Sequence, residues 1–299
     1  MSGLPEPQLR LLSLGAGVQS TVLALMACSG ELPALDGAIF ADTGWEPAAV
    51  YDQIERLHAE FDRAGIAFWQ VTKGNLRADT LDPMHRFVSV PYFTRNVDGS
   101  AGMGRRQCTS EYKLSPINRK VRELLGAKPP EFRRVPKGRV AEQWIGFSTD
   151  EIHRVNDRRE NAYTTKRYPL LELGMTRKDC QRWLRGVGWG HTTKSACVGC
   201  PFHGNAQWRD LRDNRPEEWA DAVDFDRRIR KGGASAEPLR GEAFLHRSRV
   251  PLDLAPIDRV TRHEWADRQL DIFDELAEYG DSDGCSPYGC RSGTSAVTT

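Results

Sequence analysis

Several things are scarce in this chain, and each scarcity closes a door. No stretch of its 299 residues approaches the ~20 consecutive apolar residues that a membrane-spanning helix needs, so no membrane partner is expected. Net charge is nearly absent, with 42 Lys and Arg against 41 Asp and Glu for a formal +1. That balance argues against a protein that is basic throughout and coats nucleic acid, while leaving room for a local basic patch. Lysine is rare: only nine of the cationic residues are Lys and the rest are Arg. Arginine is the better residue for gripping phosphate or sulfate with two hydrogen bonds, although a coding bias would give the same excess. The first ten residues are polar and contain proline, without the charged start and apolar middle of a secretion signal. A cytoplasmic location is therefore expected. There the seven cysteines would stay reduced, so clustered cysteines read as metal, cluster or redox ligands rather than disulfides.

What is present begins with a strand–helix alternation. Apolar residues make up 39% of the chain, enough for one large domain or for a core domain with an appendage. Residues 9–14 form an apolar run broken by Gly15-Ala16-Gly17, and residues 20–27 follow with helical spacing. A second apolar run covers 37–40. Residues 47–64 are helical in pattern, with Val50, Ile54, Leu57 and Phe61 on one face, and 66–71 reads as a third strand. Strand, glycine turn, helix, strand, helix, strand is the pattern of a parallel sheet covered by helices. Residues 73–107 lack periodicity. Helices are expected at 115–125, 176–185 and 262–278, a strand at 142–147, and two helices broken near Pro216 within 206–230. The expected organisation is a nucleotide-binding domain over 1–205, a mainly helical extension over 206–280 and a flexible tail over 281–299. Oligomeric state is not readable from the pattern.

The turn Gly15-Ala16-Gly17-Val18-Gln19-Ser20-Thr21 joins a strand to a helix. Glycines let the backbone turn tightly and let a phosphate approach, and free N–H groups at the helix start, with the Ser20 and Thr21 hydroxyls, would hold it. The lysine of a P-loop is missing. The spacing is close to a dinucleotide fingerprint, with Asp42 at the next strand end as a possible ribose-binding acid, so a dinucleotide oxidoreductase competes. A merely structural turn is the plain alternative.

Three motifs in order suggest a family. The turn resembles the PP-loop of ATP pyrophosphatases, usually Ser-Gly-Gly-x-Asp-Ser, aligned on Gly15 to Ser20. Ala41-Asp42-Thr43-Gly44-Trp45-Glu46-Pro47 resembles the D-T-G-x-x-x-P segment of phosphoadenosine phosphosulfate (PAPS) reductases. Cys108-Thr109-Ser110-Glu111-Tyr112-Lys113-Leu114-Ser115-Pro116 resembles their C-x-x-x-x-K-x-x-P segment. The resemblance covers roughly residues 9–200. It implies an adenine nucleotide alpha hydrolase-like α/β fold, a twisted parallel sheet with helices on both faces. It also implies an ATP or PAPS site at Gly15, Ala16, Gly17, Gln19, Ser20, Thr21, Asp42, Thr43 and Gly44. The chain departs from the family pattern in two places. Gly15 and Gln19 stand where the PP-loop has Ser and Asp, and the reductases' C-terminal Glu-Cys-Gly-x-His motif is absent. The tail cysteines, Cys285 and Cys290, are not expected to replace it.

Cys197-Val198-Gly199-Cys200 places two thiols three residues apart, a spacing that can grip one metal centre from a single turn. The motif needs further ligands. Cys108, which the resemblance places beside the nucleotide, is the natural third and a candidate catalytic residue. Three cysteines suit a [4Fe–4S] cluster. Cys108, Cys197, Cys200 and His203 together would suit structural Zn²⁺, and a redox pair is the third reading. Cys28 and Cys180 lie among apolar neighbours and read as small hydrophobes. Gly146-Phe147-Ser148-Thr149-Asp150-Glu151-Ile152-His153-Arg154 starts at a strand end and resembles the family's G-I-x-x-D-E-x-x-R segment. Asp150, as a catalytic candidate, and Glu151 could bind Mg²⁺, and Arg154 could contact a phosphate. A capped helix start is the alternative. Arg105, Arg106, Lys113, Arg158, Arg159, Lys166 and Arg167 flank the motifs and could face phosphates or a tRNA backbone. Trp208, Trp219 and Trp265 read as core.

The leading expectation is an enzyme that adenylates a substrate with ATP and supports sulfur transfer from a sulfur donor. The acceptor would be a tRNA base, DNA or a small metabolite. The alternatives are a reductase releasing sulfite from PAPS or adenosine phosphosulfate, and a non-catalytic zinc-stabilised module.

Overall fold

The computed structural model describes residues 6–86, 90–155, 161–233, 239–262 and 264–265. Its centre is a five-stranded sheet, all parallel, in the order β3-β2-β1-β6-β7. The strands are β1 (Leu9–Leu14), β2 (Gly37–Asp42), β3 (Ala67–Thr72), β6 (Ala141–Trp144) and β7 (Thr164–Arg167). Between β3 and β6 the chain makes two short strands, β4 (Phe93–Arg95) and β5 (Ala101–Met103). The helices are α1 (Val18–Ser29), α2 (Ala48–Ala64), α3 (Leu76–Leu81), α4 (Ser115–Leu124), α5 (Pro169–Glu172), α6 (Arg177–Gly186), α7 (Asn205–Asn214) and α8 (Pro216–Arg228). A last short strand, β8 (Glu242–Phe244), precedes a 3₁₀ turn at Leu252–Leu254. Among the described residues no helix is long and apolar enough to cross a membrane.

The period-two alternation of β1 and β2 builds two layers. Leu12, Leu14 and Phe40 face one side, against Val22 and Leu23 of α1, Ile54, Leu57 and Phe61 of α2, and Leu184 of α6. Leu11, Ile39 and Ala41 face the other, against Ile117 and Val121 of α4. Strands buried on both faces read as continuous apolar runs, which is why β1 and β2 were visible in the sequence. The expected helices 20–27, 47–64, 115–125 and 176–185 appear as α1, α2, α4 and α6 within a few residues. Pro216 opens α8 and separates it from α7.

Three features were not anticipated. Residues 73–107 contain α3, β4 and β5, elements too short to show a period. β7 is the polar edge sequence Thr-Thr-Lys-Arg, which no apolar signal marks. Third, β4 pairs with β8 in an antiparallel sheet of order β5-β4-β8, with Phe93 opposite Phe244. This pairing ties residues 93–95 to 242–244, across the boundary expected near residue 205, so the later part of the chain is not helical alone. Under it lies a second core of Trp45, Tyr112, Cys197, Trp208, Phe225 and Leu245. Trp208 and Trp219 belong there as expected, but Trp265, also read as core, is 54% exposed. Most of the expected 262–278 helix, the tail with Cys285 and Cys290, and Arg158 and Arg159 lie outside the described residues.

Candidate anion-binding site

The chain winds β1, β2, β3 in one direction from the centre and β6, β7 in the other. The carboxyl ends of β1 and β6 therefore flank the point where strand order reverses, the position at which open α/β sheets bind ligands. The turn 15–17 leaves β1 there, and Gly146 follows β6. The two approach so closely that a Cβ on Gly146 would lie 2.9 Å from the Ser20 backbone nitrogen.

Gly17 is the extended N-cap of α1, and its N–H and carbonyl face Ser20 Oγ at 3.2 Å. The first-turn amides of α1 have no intrahelical acceptors and carry the positive end of the helix dipole. Ala16 sits in the left-handed region at φ 55. Its conformation is pinned from below by Gln53, which donates from Nε2 to the Ala16 carbonyl and to Thr21 Oγ1, both at 2.9 Å. The Gln53 oxygen accepts from the Thr193 N–H at 3.0 Å. One buried amide thus ties the turn to the loop that carries Lys194 and Ser195.

A pocket of ≈ 50 Å³ opens over the turn, lined by Gly15, Gly17, Gln19 and Ser20. Its walls also include Val18, Gly146, Glu151, Arg154, Arg177, Lys194 and Ser195. Three cations from separate segments converge on one helix N-terminus, a strong anion site. Ser195 Oγ is buried there with no hydrogen-bond partner among the described residues. Gln19, at the position of the PP-loop aspartate, does not leave a gap. Its Nε2 donates to Glu151 Oε2 at 3.0 Å, and its Oε1 accepts from Arg177 at 3.1 Å. Glu151 also pairs with Arg154. Burial raises the Glu151 carboxyl above its ordinary range, against the pull of Arg154 and Arg177.

The turn residues Gly15, Gly17, Gln19 and Ser20 line one pocket with Arg154. Ala16 and Thr21 lie beneath, their oxygens held by Gln53. Asp150 does not line the pocket. Its Oδ2 accepts from the Arg177 N–H at 2.6 Å and so caps α6, while its neighbour Glu151 faces the turn. Asp42, Thr43 and Gly44 line the pocket no more than Asp150 does. Asp42 accepts from Gly44 N–H, Tyr51 and Gln70 at 2.7–2.9 Å. Arg105, Arg106, Lys113, Lys166 and Arg167 are also elsewhere: Arg167 pairs with Glu172, and Arg106 lies 4.8 Å over the Phe202 ring.

The cysteine segment is built differently. Val198 N–H donates to the Trp45 carbonyl at 3.0 Å, and Cys200 N–H to the Cys197 carbonyl at 3.0 Å. Gly199 lies against Trp45, where a Cβ would come 2.1 Å from the ring. Thr43 Oγ1 gives its one proton to Glu46 Oε1 at 2.9 Å. Cys197 Sγ lies 3.3 Å from Thr43 Oγ1 and 3.7 Å from the same Glu46 oxygen. Lys113 Nζ lies 3.6 Å from the same carboxylate oxygen, and both charged side chains are shut away from water. Cys108 packs against the same core. A [4Fe–4S] cluster or Zn²⁺ would need thiolates gathered round one centre. Among the described residues no three His, Cys, Asp or Glu side chains form such a group. Cys28 and Cys180 behave as buried thiols, pushed up to about 11 and about 12 by burial.

Gln53, Arg177, Lys194 and Ser195 were missed from sequence. Gln53 had a signal: it is a polar residue on the apolar face of α2, three after Val50 and four before Leu57. No protein-family model matches the chain, and no curated protein sequence matches it either.

Proposed function

We propose that this chain is an ATP-using enzyme that holds the nucleotide's polyphosphate over the turn 15–20 and adenylates a second substrate. One observation carries the reading: Arg154, Arg177 and Lys194 meet the start of α1 at the switch point of the sheet. The adenine assignment rests on the PP-loop-like and D-T-G sequences, not on the pocket. An oxygen of the acceptor attacks the α-phosphorus, the bond to the bridging oxygen breaks, and pyrophosphate leaves with its charge held by the three cations. Hydrosulfide, as the sulfur donor, then attacks the activated carbon, the C–O bond breaks, AMP leaves with the electron pair, and the S–H proton passes to solvent. Mg²⁺ would supply charge neutralisation to the polyphosphate; Glu151, the carboxylate that lines the pocket, is engaged by Gln19 and Arg154.

Calorimetry with ATP, PAPS and NAD, followed by a pyrophosphate-release assay, tests this. ATP binding that Arg177→Ala weakens by about tenfold or more supports the proposal. Preference for PAPS with sulfite release would favour the reductase instead. Binding of NAD alone, or of no nucleotide, would sink it. Iron, zinc and acid-labile sulfide content, measured on protein purified without oxygen, decides the cysteine question separately. About four irons lost in both Cys108→Ala and Cys197→Ala would mean that a ligand set closes around the cluster.

A further inference from the structure

The anion pocket is too small for more than phosphate groups, yet it does not end at Lys194. Val18, Arg177 and Lys194 also line a second cleft, of ≈ 510 Å³, between α6 and α7. A cleft of that size takes a ligand as large as a nucleotide. Its floor is apolar, from Pro47, Ala49, Leu184 and Ala196. Its rim carries amides and hydroxyls, Gln181, Thr192, Thr193, Gln207 and Asn214. Arg185 and His191 add positive or protonatable groups at the end nearest α6. The acid on the lining, Asp210, is paired with Arg215. Among the described residues no Phe, Tyr or Trp lines it, and a purely hydrophobic ligand would leave the rim amides unpaired.

The far wall reaches His203, which closes the cysteine segment. Its Nε2 faces the carbonyl oxygens of Cys197 and Val198 at 3.0 and 3.2 Å. Two acceptors on one nitrogen fix that nitrogen as the donor, so in the neutral ring Nδ1 is the acceptor. A ligand in the cleft would therefore lie between the phosphate pocket and the cysteines.

We infer that this cleft is the acceptor site of the proposed adenylation, and that the acceptor is a nucleotide unit. Its phosphate is held at Arg185, its base edge is read by Gln181 and Gln207, and its base face rests on the apolar floor. Amides that donate and accept suit the hydrogen-bonding edge of a base, and arginine suits phosphate. A free mononucleotide and a nucleotide within a strand share this chemistry. The inference rests on the ATP reading above.

Gln181→Trp fills the cleft from α6 at a residue that does not line the pocket over the turn. Binding is measured for ATP alone, for AMP, GMP, CMP and UMP, and for mixed-sequence RNA and DNA 12-mers with a non-hydrolysable ATP analogue present. The expected result is ATP affinity unchanged in Gln181→Trp, and mononucleotide or 12-mer affinity reduced by about tenfold or more. Binding of a mononucleotide identifies the free compound, and binding of a 12-mer alone identifies the strand. If wild type binds ATP but neither other ligand, or binds them equally in the variant, the inference fails and the ATP reading stands. Loss of ATP binding in Gln181→Trp would give the cleft to ATP's own nucleoside and also overturn it. Absence of ATP binding in wild type is failure of the underlying reading.

Discussion

The turn after β1 and the cysteine segment 197–203 are joined by the single loop 192–196, yet they are built on opposite principles. At the turn, charges are gathered around a space: Arg154, Arg177, Lys194 and Glu151 line a pocket with room for an anion. At the cysteine segment the charges are already spent on one another. Glu46 and Lys113 pair out of reach of water, and Thr43 and Cys197 close on the same carboxylate. The first arrangement is suited to exchange its contents, and the second to keep its own. Substitutions at the turn should therefore change affinity more than stability, and substitutions beside Cys197 should do the reverse.

Glu46→Ala is the harshest test. It strips the carboxylate from Lys113, Thr43 and Cys197 at once. Breaking a buried pair by removing one partner costs about 3–5 kcal/mol, mostly because the other charge is left buried. Urea unfolding should show a loss of that size. A loss under about 1 kcal/mol would mean that water reaches Lys113 and that the segment is not sealed.

The second core offers a pH version of the same test. His246 is 3% exposed, with Nε2 3.0 Å from Asn205 Oδ1 and Nδ1 2.7 Å from Ser248 Oγ. Burial, with a smaller contribution from Arg247, lowers it to about 4. An unfolded histidine takes up its proton near pH 6.5, while the native one does so only near 4. The unfolded state thus binds more protons between those values. This group's contribution to stability is complete above pH 6.5 and is lost as pH falls toward 4, by up to about 3 kcal/mol. The melting temperature of wild type should drop over that window more steeply than that of His246→Gln. Parallel profiles would show that the histidine is solvated.

At the turn the effects should be smaller in stability and visible in binding. Arg177→Ala and Lys194→Ala each remove one charged partner of the anion, about 1.5–3 kcal/mol, or roughly ten- to a hundredfold in ATP affinity. Their unfolding midpoints should stay near wild type. If either variant unfolds as readily as Glu46→Ala, the pocket is a structural ion network and the contrast disappears.

How far each region could be read from the chain follows from the same difference. The turn announced itself through Gly15 and Gly17 because glycine is needed where a backbone bends tightly, and β1 and β2 through unbroken apolar runs. Arg154 was reached through its strand-end position. The partners that complete the pocket come from distant segments. Nothing local distinguishes Arg177, the first residue of α6, or Lys194, in an irregular loop, from a solvated surface charge. The choice of Glu151 over Asp150 depends on one turn of 3₁₀ helix, which sequence spacing does not resolve. For the cysteines, spacing predicted proximity within the segment. Whether Cys108 comes close enough to share a ligand depends on how α7, α8 and the small sheet pack, and those contacts leave no periodic trace.

The glycines give the finest test, since they ask whether the turn's geometry serves folding or binding. A methyl on Gly146 would press on the Ser20 backbone nitrogen at 2.9 Å, and backbone cannot swing aside. The end of β6 and the start of α1 must then separate, costing about 1–3 kcal/mol together with the pocket itself. A methyl on Gly15 meets only Ser20 Oγ, at an ordinary 3.8 Å, and no left-handed backbone is required there. Gly15→Ala should leave stability within about 0.5 kcal/mol of wild type. Its methyl nevertheless enters a pocket of only ≈ 50 Å³, where a phosphate oxygen would sit. ATP affinity should fall severalfold in a protein that unfolds at the wild-type urea concentration. Unchanged affinity in Gly15→Ala would place the phosphates away from the turn, on the side of Arg177 and Lys194 alone. A loss of stability larger than that of Gly146→Ala would show that the turn is held by folding forces and not shaped for a ligand.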